Sequence, residues 1–187
     1  FASPSTIQIY NSILDTKSDK GTLLIIKNYS GDCMNFDAAA EMAEEEDIKV
    51  ERVYVNDDVA VEDSLYTVGR RGVAGTVFVH KIAGALAEKG ASLEEVKAVA
   101  QKTIKNVKSI GFAFTSCTVP AKGTPTFVLE EDMMEFGVGI HGEPGIAKEK
   151  IVSADELAVK MIGKILNEGI YNENDEIALM INGLGGT

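Results

Sequence analysis

The sequence predicts an α/β protein, built as two α/β domains with mixed or mostly parallel sheets flanked by helices. Three observations predict it. Between Thr22 and Val55 an apolar run, a helix-forming stretch and a β-branched run follow one another. Two Ser-x-x-Glu boxes, Ser92 to Glu95 and Ser153 to Glu156, mark helix starts. Between those boxes, Ser109 to His141 changes texture, with Gly, Thr, Ser and Pro turns separating short apolar runs.

Thr22 to Ile26 is a continuous apolar run bounded by Gly21 and by Lys27-Asn28, the pattern of a strand buried on both faces of a parallel sheet. Lys27 to Asn35 reads as a loop. Phe36 to Glu46 is rich in Ala, Glu and Met, good helix formers, and Val50 to Val55 returns to β-branched residues, which completes a βαβ unit. Val73 to Lys89 reads as a helix with apolar residues on most faces (Val73, Val77, Phe78, Ile82, Leu86), which places it in the interior. The two boxes predict amphipathic helices over about 92 to 106 and 153 to 168, since the Ser oxygen and the later Glu satisfy orphan N–H groups at a helix start. Ile110 to Phe114, Thr126 to Leu129 and Phe136 to Ile140 read as short β runs of a second domain, with the boundary near Val107. Ile177 to Ile181 reads as a last strand-like run ahead of the glycine-rich Asn182 to Thr187.

The 187 residues hold 18 Lys and Arg against 29 Asp and Glu, a net charge of −11, and are 45% apolar and 25% charged. That is enough apolar surface for a core without disulfides or metal, so a small disulfide scaffold is excluded. The acidic balance excludes a sequence-independent grip on nucleic acid, which depends on Lys and Arg neutralising phosphates. No apolar run approaches the roughly 20 residues of a bilayer-spanning helix, so no membrane partner and a cytoplasmic address are expected. Cys33 and Cys117, in no CxxC spacing and with two histidines in the chain, do not make a Cys/His zinc site, and no metal is expected. Phe1 to Thr6 has no signal-peptide character. The abrupt ends lead us to read the sequence as an excerpt of a longer polypeptide.

Three stretches can carry chemistry. In Gly137 to Gly145, four glycines crowd His141. Glycine lets the backbone turn and approach a ligand, so a histidine at a strand end here can present its imidazole to a small molecule; otherwise it is a solvated turn residue. His80, inside the predicted helix among Phe78, Val79 and Ile82, reads as structural. Lys27 to Asp32 follows a buried strand, where ligands of open parallel sheets gather. Lys27 can hold an oxygen-rich substrate and Asp32 can accept a hydroxyl proton, or Asp32 can cap the next helix. Arg70 and Arg71 invite an anion clamp, or pair with carboxylates between Asp57 and Asp63. Neither Walker A nor GxGxxG occurs.

Leu24 to Asp32, Asn56 to Val61, Asp63 to Val73, Cys117 to Pro120 and Met134 to Ile146 together resemble one family, the substrate-binding K subunit of dihydroxyacetone kinase. The resemblance runs in order through nearly the whole chain. It implies that the imidazole of His141 forms a covalent hemiaminal with the carbonyl carbon of dihydroxyacetone. Lys27 and Asp32 would contact the bound triose, Asp32 orienting or deprotonating the hydroxyl that is phosphorylated. It also implies that 1–106 is the later part of a first α/β domain and 107–187 a second, truncated α/β domain carrying the covalent histidine. The family has a glycine-rich loop with another active-site histidine upstream, and no such segment precedes Lys27 here. No cofactor would be bound by this chain; the nucleotide, ADP or ATP with Mg, sits on a partner subunit or domain. The implied partners are a nucleotide-binding L subunit, a phosphoryl-carrier M subunit fed from phosphoenolpyruvate, and a second copy in a homodimer. In another branch ATP is used directly. Paralogues that bind the triose and activate a transcription factor supply the alternative function, a triose-sensing co-activator.

Overall fold

The computed structural model describes residues 3–62, 67–116, 118, 120–125, 127–141, 143 and 145–183. They form two compact units: unit 1 is Phe1–Asp57 with Glu62–Val107, and unit 2 is Asp58–Val61 with Lys108–Thr187.

Unit 1 is a three-layer α/β sandwich. Its elements are α1 (Thr6–Thr16), β1 (Thr22–Lys27), α2 (Ser30–Glu44), β2 (Val50–Val55), α3 (Thr76–Glu88) and α4 (Leu93–Asn106). The strands pair in parallel, with register running from Thr22 opposite Val50 to Lys27 opposite Val55. Side chains of a strand alternate between faces. Leu24, Ile26 and Val50 accordingly pack with Ile9 and Ile13 of α1 and Ala39, Ala40 and Ala43 of α2. Val53 and Val55 face the other way, into Val79 and Ala83 of α3 and Val96 and Ala100 of α4. The three alanines, all fully buried, let α2 lie close on the sheet.

Three expectations change here. A helix at Thr6–Thr16 was not anticipated, although Ser5 and Gln8 form a complete capping box at its start. The expected loop from Lys27 to Asn35 is mostly helix, because α2 begins at Ser30; Ser and Asp are tolerated in a first turn, where they can meet free N–H groups. The helix predicted from Val73 is not sandwiched. Only Thr76, Val79 and Ala83 of α3 are buried, at helical spacing, whereas Val77 is 50% and Ile82 44% exposed on the outward side.

In unit 2, β3 (Phe112–Ala113), β4 (Met133–Phe136) and β5 (Ala147–Lys150) form an antiparallel sheet in the order β3-β4-β5. Helix α5 (Ala154–Leu166) follows, capped by the Ser153 and Glu156 box. Met134, Phe136 and Leu157 form the core, with Ile110, Phe112, Val152 and Met161 around it. Lys160 Nζ lies 4.7 Å from the centre of the Phe136 ring, a cation–π contact. Val59 N–H donates to Ser109 O at 2.9 Å, which stitches the short 58–61 segment into this unit.

The strands differ from the short runs expected. Phe127 to Leu129 lies in no strand, and Thr126 is outside the described residues. The run Phe136 to Ile140 is not a strand: β4 precedes it and stops at Phe136, because Gly137 takes a left-handed φ of +78° that a pleated strand does not accommodate. Ile177 to Ile181 joins no strand among the described residues, and Ile177, Leu179 and Ile181 stand exposed. Residues 184–187 of the glycine-rich end are outside the described residues. No helix of the described residues is long and apolar enough to cross a membrane.

Candidate active site

In unit 1 the candidate residues lie at the carboxyl edge of the parallel pair, where β1 and β2 release the chain side by side. Lys27 is the last residue of β1 and is half-buried. The next residue fixes the surroundings. Asn28 N–H continues the ladder to Val55 O at 2.9 Å, while its side-chain Nδ2 donates to Val68 O (3.0 Å) and Arg70 O (2.8 Å). The Cys33 thiol donates to Asn28 Oδ1 at 3.6 Å; burial, then the nearby Asp37 and Asp32 charges, push its pKa up, which keeps it a donor. Farther along, Asp57 is fully buried and accepts from Val73 N–H (2.7 Å) and Gly75 N–H (2.8 Å). Segment 67–75 is thereby laid across the strand ends. It passes so close that a Cβ on Gly72 would sit 2.3 Å from Val55 O.

Asp32 stands in the first turn of α2, where helix polarity favours negative charge. It does not cap: the N-cap is Tyr29, with no side-chain cap bond. Lys27 and Asp32 therefore lie at the same strand end, one closing β1 and the other opening α2.

In unit 2 the connection from β4 to β5, residues 137–146, carries His141. Its base is pinned by Ile146 N–H to Phe136 O (2.8 Å) and Gly137 N–H to Gly111 O (2.7 Å). Gly137 is required at its place, since besides its positive φ a Cβ there would meet that of Ala60 at 2.8 Å. Two buried carboxylates hold the rest. Glu135 Oε1 accepts from Gly145 N–H at 2.7 Å. Glu143, 4% exposed, accepts the His141 N–H on Oε2 at 2.9 Å, and its own carbonyl accepts from Gly139 N–H at 3.1 Å. The second carboxylate oxygen, Oε1, lies 3.4 Å from His141 Nδ1 and has no other hydrogen-bond partner. Burial works to raise the Glu143 pKa, but the contacts with the imidazole and the two backbone N–H groups outweigh it and hold the carboxyl below its ordinary value. The His141 side chain itself is partly open to solvent.

A profile of the Dak1 domain matches residues 1–187, the whole chain. The chain belongs to the Dak1 domain family. It is 52% identical over 187 residues to the "PTS-dependent dihydroxyacetone kinase, dihydroxyacetone-binding subunit DhaK" of Lactococcus lactis subsp. lactis, covering all of this chain and 56% of that protein. Among solved structures it resembles the native dihydroxyacetone kinase of C. freundii, with a TM-score of 0.81 and 38% identity over 89% of this chain and 30% of that one. It also resembles the "Dihydroxyacetone kinase operon co-activator Dha-DhaQ", with a TM-score of 0.82 and 34% identity over 90% of this chain and 51% of that one. The chain thus spans about half the length of the curated relative it matches.

Within this Dak1 domain, Lys27 and Asp32 belong to unit 1 and His141 to unit 2. His141 is not at a strand end as expected; it is five residues past β4, at the far side of a loop. Asp63 to Tyr66, Cys117, Val119, Gly142 and Pro144 of the matching segments lie outside the described residues. Arg71 is fully buried and so displays no charge to a partner, and the Asp57 carboxylate is engaged by backbone N–H groups. His80 lies on the exposed side of α3. Among the described residues no cluster of three or more His, Cys, Asp or Glu could hold a metal. The residues missed from sequence were the ones that hold others in place: Asn28, Asp57, Glu135 and Glu143. Only Glu143 left a signal, a carboxylate two residues from the candidate histidine inside the glycine stretch.

Proposed function

We propose that this chain is the dihydroxyacetone-binding portion of a dihydroxyacetone kinase, and that His141 captures the triose covalently. The observation that carries the reading is end-to-end similarity to a subunit named for dihydroxyacetone binding, with His141 held in a carboxylate-braced glycine loop.

The chemistry starts with a neutral imidazole, a competent nucleophile towards a ketone. The lone pair of one ring nitrogen forms the C–N bond, and the carbonyl π pair moves to oxygen. That oxygen takes a proton from solvent, and the other ring nitrogen gives one up, so the sum is addition of N–H across C=O. Capture turns a weakly held polyol into a positioned reactant. It also rejects glycerol, which offers hydroxyls but no carbonyl. Lys27 donates to triose oxygens, and Asp32 accepts the proton of the hydroxyl that attacks the phosphoryl donor. Phosphoryl transfer is mainly positioning and electrostatics, which few residues can supply. The nucleotide and its Mg are held by a partner L-type subunit. The relative's name, PTS-dependent, supports a donor recharged by a phosphoryl carrier. A homodimer working in the cytoplasm completes the reading.

Native mass spectrometry of the full-length protein with dihydroxyacetone tests it. One triose should add to the protein, none should add to His141→Ala, and glycerol should leave no adduct. A folded wild type that takes up no triose would overturn the assignment. Similarity to the operon co-activator favours a second reading, a triose sensor that uses the same capture to signal. Co-purification separates the two, since a kinase portion retains a nucleotide-binding subunit and a sensor retains a transcription factor.

A further inference from the structure

Lys27 and Asp32 are each followed in the chain by a member of one small network. Asn28 comes after Lys27 and Cys33 after Asp32, and the Cys33 thiol donates to Asn28 Oδ1 at 3.6 Å. On its other side the Asn28 amide donates through Nδ2 to both Val68 O (3.0 Å) and Arg70 O (2.8 Å). A carbonyl only accepts, so the NH2 end must face the two backbone oxygens and Oδ1 the thiol. Gly69, between them, has a φ of +80°, and a Cβ there would lie 3.6 Å from Nδ2, so the turn is wrapped around the amide. Farther along the same segment, a Cβ on Gly72 would stand 2.9 Å from Asn28 N and from Lys27 Cα, which seats the segment on the backbone that carries Lys27. The strand itself needs nothing from the Asn28 side chain, because the Asn28 N–H already closes the ladder with Val55 O.

We propose that Asn28 is a positioning residue that sets Lys27 and Asp32 for phosphoryl transfer. Its amide ties the end of β1, the first turn of α2 and the 68–70 turn to one another. The proposal rests on the kinase reading above and deepens it. In that reaction the triose hydroxyl oxygen forms a bond to the donor phosphorus, the donor's bridging P–O bond breaks with its electron pair, and the hydroxyl proton passes to Asp32. The Lys27 and Asp32 side chains take no part in the Asn28 bonds, so their place depends on the backbones that those bonds join. Transfer is sensitive to displacements of a fraction of an ångström, because the attacking oxygen must be aligned as well as bound. Capture by His141, on the other unit, does not draw on that alignment. Loss of the Asn28 amide therefore separates the two steps, whereas loss of a residue that merely holds the fold weakens both.

The test uses the full-length protein with the nucleotide-binding subunit and saturating dihydroxyacetone. Asn28→Ala should lower kcat about tenfold, while native mass spectrometry still finds the triose adduct at wild-type occupancy. Ser92→Ala is the control, since it removes a helix cap of unit 1 at the amino edge of the strands, beside Gly21 and Lys49, and should keep the wild-type kcat. A folded Asn28→Ala with wild-type kcat overturns the proposal. So does an equal loss of kcat in Ser92→Ala, or a loss of the saturated adduct along with kcat in Asn28→Ala. The 13C resonances of the Asp32 carboxyl and of Lys27 Cε, assigned by their absence in Asp32→Asn and Lys27→Arg, give a readout that needs no triose. Both should move in Asn28→Ala and stay in place in Ser92→Ala. If wild type does not turn over, the kinase reading fails and these resonances decide alone: moved, the hold of Asn28 on Lys27 and Asp32 stands; unmoved, it falls.

Discussion

The two regions that carry the candidate chemistry are held in opposite ways. In unit 1, Lys27 and Asp32 sit on regular elements, a strand end and a first helical turn, and the neighbouring segment 67–75 is fastened by an amide, Asn28, and by Asp57. In unit 2, His141 is on no element, and its place depends on two buried carboxylates and on glycines that allow a tight path. A side chain on a strand or helix is positioned by a ladder of bonds, so losing one neighbour shifts it little. A side chain at a loop tip is positioned by the few bonds that hold the loop.

Glycine substitutions should produce the largest effects and break the comparison most directly. A Cβ on Gly72 would lie 2.3 Å from Val55 O, and one on Gly145 2.2 Å from Phe136 O, both against backbone that cannot swing aside. Gly72→Ala and Gly145→Ala should each cost about 3 kcal/mol in urea unfolding, the upper end of overpacking penalties. They should part in chemistry, Gly145→Ala losing the triose adduct and Gly72→Ala keeping it. If both retained the adduct equally, the loop's dependence on its tight path would be refuted.

Asn28→Ala should come next, at about 2 kcal/mol, because two hydrogen bonds are lost, of which the part-buried one to the Arg70 carbonyl is the costlier and the exposed one to Val68 is replaced by water. Hydrogen exchange should speed up over residues 68–75 and stay unchanged over 137–146. Smaller again are the helix caps. Ser92→Ala in unit 1 and Ser153→Ala in unit 2 remove the same box and should each cost about 1 kcal/mol, a matched pair that calibrates the two units. The finest distinction is the pH dependence set by Glu143. Its folded pKa lies below the unfolded one, so its stabilisation is complete above the ordinary carboxylate pKa of about 4.3 and is lost as pH falls through the folded value. Acid unfolding of Glu143→Gln should therefore depend less steeply on pH than that of wild type; an identical slope would remove Glu143 from the linkage.

What could be read from the sequence follows the range of the interactions involved. The helices after Ser92 and Ser153 were legible because a capping box is complete within four residues, and the same logic applied to Ser5 and Gln8 would have found α1. Strands β1 and β2 were legible because burial on a parallel sheet leaves continuous apolar runs. Phe136 to Ile140 misled because its apolar residues alternate with Gly137 and Gly139, whose backbone freedom ends a strand. Ile177 to Ile181 misled because an apolar run becomes a strand only beside a partner. Lys27, Asp32 and His141 were singled out as candidates by residue type and by resemblance. The clamps by Asn28 and Asp57 were not, since each joins segments more than ten residues apart in the chain.

The short 58–61 segment bears on how this molecule can be dissected. It belongs with unit 2, although the residues before and after it belong with unit 1. Severing the polypeptide between residues 107 and 108 would therefore release a carboxyl-terminal piece stripped of the backbone that bonds Ser109 and of the methyl group beside Gly137. No single scission yields either half whole. A separately expressed histidine-bearing module would need Asp58 to Val61 grafted back, for instance as a tethered amino-terminal extension.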